Sequence, residues 1–472
     1  MDKQMKKMTL VTLTGLLVFS RLFAGQKAAR IGGTADFLRT GDSVLVTVRQ
    51  YTGRLDEIAT TYTAYASGNR LALSIPARDQ PQYIELLFPN KGRTFLGPVI
   101  LFPGDDMVIE VKSGSFLFKG SSAVRFSAQQ KLREISIRFS QQMRLRFTPA
   151  TLPRIFDHID SGAAAQLNYL ETKKKQLGLR AFRLLANDVK AGATCSKLGY
   201  LNYTCMNKPP EVQETFKTAF VQYGKPLNSF PSFSPADSSG KPASGCSAEL
   251  VYQQYLADSC VFQQKRFSIH DCYAYESGHF KGEIREQLVT ALFITKRSSP
   301  GITVADITQA LDYVKNPDFI KVLEKIRATN TTGAAAPDFT LPDTANTPVN
   351  LKDYRGKLIV LDFWFTGCGA CKAMAPRMQA IEKKYANRPV VFITICIDKK
   401  RAQWLATLKT NEYTSPLSLN LYTDGKGNEH RVIRDYDVRG YPTFVLIDKD
   451  GKLAPKPGLE EEEMSKLIDS YL

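Results

Sequence analysis

The sequence predicts a multidomain α+β chain, with an antiparallel β domain first, a mainly helical middle region, and an α/β domain at the C-terminal end. Three observations carry this. Short alternating segments broken by Gly, Pro, Asn and Asp run from Ala29 to Ser122, which is the pattern of half-buried strands. From Phe126 onward the apolar period lengthens to that of helices. Further on, Leu358-Ile-Val-Leu361 is an unbroken apolar run that continues through Trp364 to two cysteines, as a central parallel strand covered on both faces would. At 472 residues the chain exceeds one ordinary core, and 43% hydrophobic residues suffice to fill several.

Taken in order, residues 1–28 read as a secretory signal peptide or N-terminal anchor. Lys3, Lys6 and Lys7 precede an apolar segment from Met8 to Phe19, and the uncharged run is too short to span a bilayer before Arg21 intervenes. Leu22 is a poor residue three positions before a cut after Ala24, so an uncleaved anchor stays open. Residues 29–125 form the β domain, with Ser43–Arg49 and Met107–Val111 its clearest strands. Residues 126–329 form the helical domain, with apolar stripes over Phe126–Phe147, 163–177, 179–190, 212–223, 284–295, 303–314 and 319–328. Within it Asn228–Ser247, rich in Ser, Pro and Gly, is expected as a surface loop. Thr329–Ala336 is a short linker into the last domain, residues 330–472.

The net charge of +17 invites a nucleic-acid reading, but its distribution argues against one. Residues 330–472 carry 20 Lys/Arg against 18 Asp/Glu, so the excess lies upstream, spread without a nucleic-acid module. A solvated basic surface is the simple account, and association with an anionic membrane or acidic partner the functional one. Five cysteines, Cys195, Cys205, Cys246, Cys260 and Cys272, fall in the helical region; in an oxidising compartment some are expected to pair, with unknown connectivity. Cys396, in the apolar run Val390–Ile397, reads as a small buried strand residue.

The chemistry concentrates at Cys368-Gly-Ala-Cys371. A strand precedes it, and Met374, Met378, Ile381 and Tyr385 follow at helical spacing, so the pair sits at a strand-to-helix turn. There the free backbone N–H groups and the helix dipole favour a thiolate. Zinc would need more ligands, yet the chain has four histidines, none spaced as a ligand pair, and no second C-x-x-C. A c-type haem site would need His where Lys372 stands. Beside a βαβ pattern a redox dithiol is favoured over two ordinary core cysteines, and its chemistry needs neither metal nor cofactor.

Asp362-Phe-Trp-x-x-x-Cys-x-x-Cys-Lys-x-x-x-Pro376, followed by Arg439-Gly-Tyr-Pro442-Thr443, resembles the thioredoxin superfamily. The entry Ala336-Pro-Asp-Phe-Thr-Leu-Pro-Asp343 and Val349–Lys357 is similar to the TlpA/ResA-like branch of exported thioredoxins. The resemblance spans residues 333 to 472 and implies a thioredoxin-like three-layer α/β sandwich, with room between Cys371 and Pro442 for the branch's extra strand and helix. It departs from the family at Gly367, where Trp is usual, and at Ala370, where Pro is usual. Phe102-Pro-Gly-Asp-Asp106 and Phe116–Ser121, flanking Met107–Val111, resemble the small β-sandwich fused ahead of many TlpA-like proteins. No acid–base or ligand cluster emerges from that segment.

The resemblance implies a thiol-disulfide oxidoreductase acting on protein disulfides or thiols in the periplasm or at the extracytoplasmic face, as a reductant, with an unidentified redox partner that recharges it. Cys368 is expected as the exposed attacking thiolate and Cys371 as the resolving thiol. Asp362 matches the buried acid of the pattern, expected to take a proton from Cys371 through a water, with burial raising its pKa. Pro442 matches the family's cis-proline, leaving the Tyr441 backbone to pair with a substrate strand. Tyr441, Gly367 and Trp364 are the expected substrate contacts, while Thr366 and Lys372 shape the entrance. A peroxiredoxin would need P-x-x-x-T-x-x-C, but Thr366 lies only two residues before Cys368. A copper-delivery relative would space its cysteines wider. From another class, an extracytoplasmic binding or scaffold protein with a merely regulatory dithiol stays open.

Overall fold

Apolar residues alternate with polar ones up to Lys119, and in the computed structural model that segment folds as eight short strands. The structure describes residues 28–472 except 52–54, 56–57, 77–79, 90–93, 143–147, 207, 223–233, 298–300 and 330. The expected leader at 1–28 therefore lies outside the described residues, save Ala28, as do the start of the Asn228–Ser247 loop and the end of the Phe126–Phe147 stripe. Among the described residues no helix is long and apolar enough to cross a membrane.

The strands are β1 (Ala29–Ala35), β2 (Ser43–Arg49), β3 (Thr60–Tyr65), β4 (Arg70–Ile75), β5 (Gln82–Leu87), β6 (Phe95–Leu101), β7 (Asp106–Lys112) and β8 (Ser115–Lys119). They form two four-stranded sheets, ordered β4-β1-β7-β8 and β3-β2-β5-β6. Ile31 and Ile109 from one and Val44, Val46, Ile84 and Leu86 from the other meet in one apolar cluster. The expected all-antiparallel pairing fails at one place, where β1 and β7 run parallel. The second sheet lies between them in sequence, and so long a connection permits parallel pairing.

Nine α-helices follow among the described residues: α1 (Ala123–Gln142), α2 (Leu152–Leu177), α3 (Leu179–Met206), α4 (Pro210–Gln222), α5 (Ser247–Tyr255), α6 (Ile269–His279), α7 (Gly282–Lys296), α8 (Val304–Leu311) and α9 (Pro317–Thr329). α5, with its π-helical continuation Leu256–Phe262, and α6 were not predicted, because polar residues interrupt their apolar stripes. The loop before α5 is not wholly superficial. Ser244 and Ser247 are buried, and the Gly245 N–H donates to the Tyr83 hydroxyl at 2.9 Å.

The chain divides into two compact units, one running up to Ser238 and taking in Pro242–Gln264, the other comprising Ser239–Lys241 and Lys265–Leu472. The helical region is thus shared between them, α6 to α9 belonging with the C-terminal part. Thr303 bridges to Thr332, and Arg297, just after α7, pairs with Asp437 at 3.1 Å. The expected pairing among the middle cysteines is not observed: Cys195, Cys205, Cys246, Cys260 and Cys272 carry thiols, with no disulfide joining any two of them. Cys195 and Cys205 lie ten residues apart on α3, about 15 Å along the axis, beyond disulfide reach.

In the C-terminal part, a short pair β9 (Thr340–Pro342) and β10 (Pro348–Asn350) leads to β11 (Leu358–Trp364), α10 (Gly369–Lys384), β12 (Val390–Cys396), α11 (Arg401–Leu408), β13 (Leu419–Tyr422), α12 (Arg431–Asp435), β14 (Thr443–Ile447) and α13 (Glu461–Tyr471). The sheet order is β13-β12-β11-β14, with β14 antiparallel to β11 and the others parallel. Every β11 residue is buried, which is why the run reads apolar without alternation. Leu358 and Val360 pack with Met374, Met378 and Ile381 of α10 and Met464 and Ile468 of α13. Ile359, Leu361 and Phe363 pack with Val432 and Ile433 on the opposite face. Beyond β14 the chain makes single bridges only, Ile447 to Leu453 and Ala335 to Lys452.

Candidate active site

Cys368 and Cys371 are joined by a disulfide with a Cα–Cα distance of 5.3 Å. Cys368 is the N-cap of α10, and its Sγ accepts the Cys371 backbone N–H at 3.1 Å. That N–H is one of the donors a helix start leaves without an intrahelical partner, so the local field favours negative charge on the Cys368 sulfur. The expected contrast in exposure is not found in this oxidised form: Cys368 is 5% exposed and Cys371 4%. Both belong to a cluster with Trp364, Cys396, Trp404 and Tyr422, against which Phe365 and Tyr441 pack.

The turn that delivers β11 into α10 is held from several sides. The Thr366 N–H and hydroxyl both donate to buried Asp398, at 2.9 and 2.5 Å, and the Gly367 N–H donates to the Tyr413 hydroxyl at 3.1 Å. Gly367 adopts φ +94°, a region that L side chains rarely enter. A Cβ there would touch nothing within 4 Å, so Gly367→Ala isolates backbone strain. A loss of about 1–2 kcal/mol is expected, measurable by denaturant melts of the oxidised proteins; equal midpoints would show that the turn relaxes. Lys372, one residue into the helix beyond the dithiol, pairs with Glu412 at 2.7 Å.

Trp364, expected to contact substrate, is instead fully buried. It stacks on Tyr413 at 5.1 Å and so supports the turn from beneath. Tyr441 is half-buried, edge-on to Phe365 at 5.4 Å, and the Tyr441–Pro442 peptide is cis. The structure thus brings Cys368, Cys371, Trp364 and Tyr441 together, with Gly367 exposed at the turn.

Asp362 lies in mid-β11, 9% exposed, on the face that packs against α10 by its even position in the strand. Its Oδ1 has no hydrogen-bond partner. Burial, and after it the charge of Glu382, pushes its carboxyl up to about 8. Glu382 itself, near the end of α10, is buried and accepts from the Ser415 and Ser418 hydroxyls. Burial raises its pKa too, against those two hydrogen bonds. Sequence reasoning missed Glu382, Asp398 and Tyr413. Only Glu382 left a signal, a carboxylate one residue past Ile381 on the apolar stripe of α10, where burial without partners is costly.

Residues 332–456 match the model of the AhpC/TSA family. The chain is 31% identical over 140 residues to a thiol-disulfide oxidoreductase ResA of Bacillus thuringiensis, a match covering 30% of this chain and 76% of that protein. It is 32% identical over 121 residues to the thioredoxin-like protein YneN of Bacillus subtilis, covering 25% of this chain and 66% of that one. Among solved structures, the thioredoxin domain of a thiol-disulfide oxidoreductase from Bacteroides vulgatus is similar at 21% identity and a TM-score of 0.28, over 30% of this chain and 97% of that chain. On the strength of the ResA match, the chain belongs, through its C-terminal thioredoxin-like domain, to the thiol-disulfide oxidoreductases of the ResA type.

Proposed function

We propose that this chain reduces disulfides in protein substrates outside the cytoplasm, through a dithiol formed by Cys368 and Cys371. The observation that carries the reading is the Cys368–Cys371 disulfide capping α10 beside the Tyr441–Pro442 loop. In the reduced enzyme the Cys368 thiolate attacks a substrate S–S bond, forming a mixed disulfide and releasing one substrate thiolate. Cys371 then gives up its proton, its sulfur attacks Cys368, and the second substrate sulfur leaves; two electrons have passed from dithiol to substrate. Asp362 is the proton acceptor in this scheme. A carboxyl pushed up to about 8 holds or releases a proton near neutral pH, as a general base for a thiol requires. A redox partner with its own dithiol must then return two electrons to the Cys368–Cys371 disulfide.

The extracytoplasmic assignment is supported by the basic and apolar stretch from Lys3 to Phe19. The organisation proposed is a β-sandwich packing or interaction module at 29–125, a helical region at 126–329, and a three-layer thioredoxin-like domain at 330–472. The meeting of both sheets in one cluster, and the two faces of β11, support the layered parts.

The direction of exchange is tested by equilibrating Cys368–Cys371 against dithiothreitol buffers. A potential in the range of about −220 to −270 mV is expected of a reductant. A value near −120 mV would make the chain an oxidant.

A further inference from the structure

A cleft of about 610 Å³ opens beside the Tyr441 ring, and its far wall is α9, a helix outside the thioredoxin-like domain. Lys325 and Thr329 of α9 face Arg434, Asp437, Arg439 and Tyr441 across it. The Tyr441 hydroxyl donates to Asn428 on the rim at 2.7 Å, and the same ring packs against the dithiol cluster. The cleft and the dithiol cluster therefore share the Tyr441 ring.

Its charge is one-sided. Asp437 collects Arg297 at 3.1 Å, Arg439 at 2.9 Å and Lys325 at 4.0 Å, so one carboxylate serves three cations. Asp435, the other acid among the described lining residues, is paired with Arg431 at 2.6 Å. Arg434 is exposed at the mouth and makes no ion pair among the described residues. Nearby Lys456 is held down to about 8, chiefly by burial, with Asp437 opposing the shift and Arg297 and Arg439 adding to it. Residues 330–472 are close to neutral, with 20 basic and 18 acidic side chains. The positive charge here comes from both sides, Arg434 and Arg439 from that near-neutral domain and Arg297 and Lys325 from the basic region ahead of it.

We propose that the cleft is a substrate subsite for an acidic stretch of polypeptide next to the disulfide being reduced, with Lys325 and Arg434 as its specificity-determining residues. This rests on the disulfide-reducing reading of Cys368 and Cys371. Lys325, Arg434 and Arg439 are exposed in an open groove, a layout that suits an extended chain with several carboxylates better than one enclosed small anion. The attraction acts through solvent, so it selects among substrates and speeds encounter more than it tightens binding.

The test uses the full reduced chain and three synthetic peptides that share one internal disulfide but carry acidic, neutral or basic flanks. The acidic peptide is expected to show a kcat/KM about five- to tenfold above the basic one at low salt, with the gap shrinking toward about 0.15 M salt. Lys325→Glu with Arg434→Glu should invert that order, and Lys325→Gln with Arg434→Gln should abolish it. Both pairs should leave reduction of a small uncharged disulfide unchanged, which reports that fold and dithiol are intact. Equal rates for the three peptides with the wild-type chain, or an unchanged preference in the glutamine pair, would overturn the subsite. If Cys368→Ser still reduces the acidic peptide, the underlying reading of the dithiol fails instead, and the two failures are distinct.

Discussion

Cys368→Ser is expected to lower protein disulfide reduction by on the order of 10³-fold or more, because a serine hydroxyl is not ionised near neutral pH and cannot form the mixed disulfide. Cys371→Ser should lose turnover to a similar extent and yet behave differently. Its remaining sulfur sits at the N-cap of α10, where the Cys371 N–H reaches it at 3.1 Å, and the serine at 371 keeps that backbone donor. The attacking step is preserved and the resolving step removed. A covalent adduct with substrate should therefore accumulate in Cys371→Ser and be absent from Cys368→Ser, as read by non-reducing gels and intact mass. The nearly equal cover of the two cysteine residues, 5% and 4% exposed, makes this a real choice. If the adduct appears only in Cys368→Ser, the roles are exchanged.

Asp362→Asn carries the second large effect, and it appears in two separate measurements. If Asp362 takes the proton of Cys371, release from the mixed disulfide should slow by on the order of 10²-fold near neutral pH, with the attack by Cys368 changed much less. Stopped-flow measurement of the two half-reactions separates them. The stability effect has a definite sign. The folded carboxyl titrates at about 8, above its ordinary value of 3.8, so between those limits the folded domain holds a proton that the unfolded chain has released. Stability then falls as pH rises through that window, by up to about 1.4 kcal/mol per pH unit. The asparagine variant lacks this slope and should be the more stable protein at pH 8, with little difference below pH 4. Glu382→Gln should lower the upper edge of the window, because the charge that adds to the effect of burial is gone. Unchanged resolution kinetics together with a loss of stability at pH 8 would make Asp362 a structural residue of the strand.

Much of the site was legible because its parts are local in sequence. An apolar run without alternation, two cysteines three apart and a helical stripe behind them define β11, the cap and α10, and β2 and β11 appear over Ser43–Arg49 and Leu358–Trp364 as read. Strand and helix periods, and the place of a dithiol at a turn, follow from nearest-neighbour geometry that the order of residues already contains. What depends on distant segments meeting was decided only by the tertiary structure. The parallel partner of β1 lies more than seventy residues away, and the charge of Glu382 acts on Asp362 only because α10 covers that face of the sheet. Trp364 became a buried support because Tyr413, from a loop after α11, stacks on it. α9 lines a cleft beside Tyr441, where Asp437 meets cations from outside the thioredoxin-like domain. Burial, the field at a carboxyl and the walls of a cleft are properties of neighbours in space, and a sequence names those neighbours only after the chain has folded.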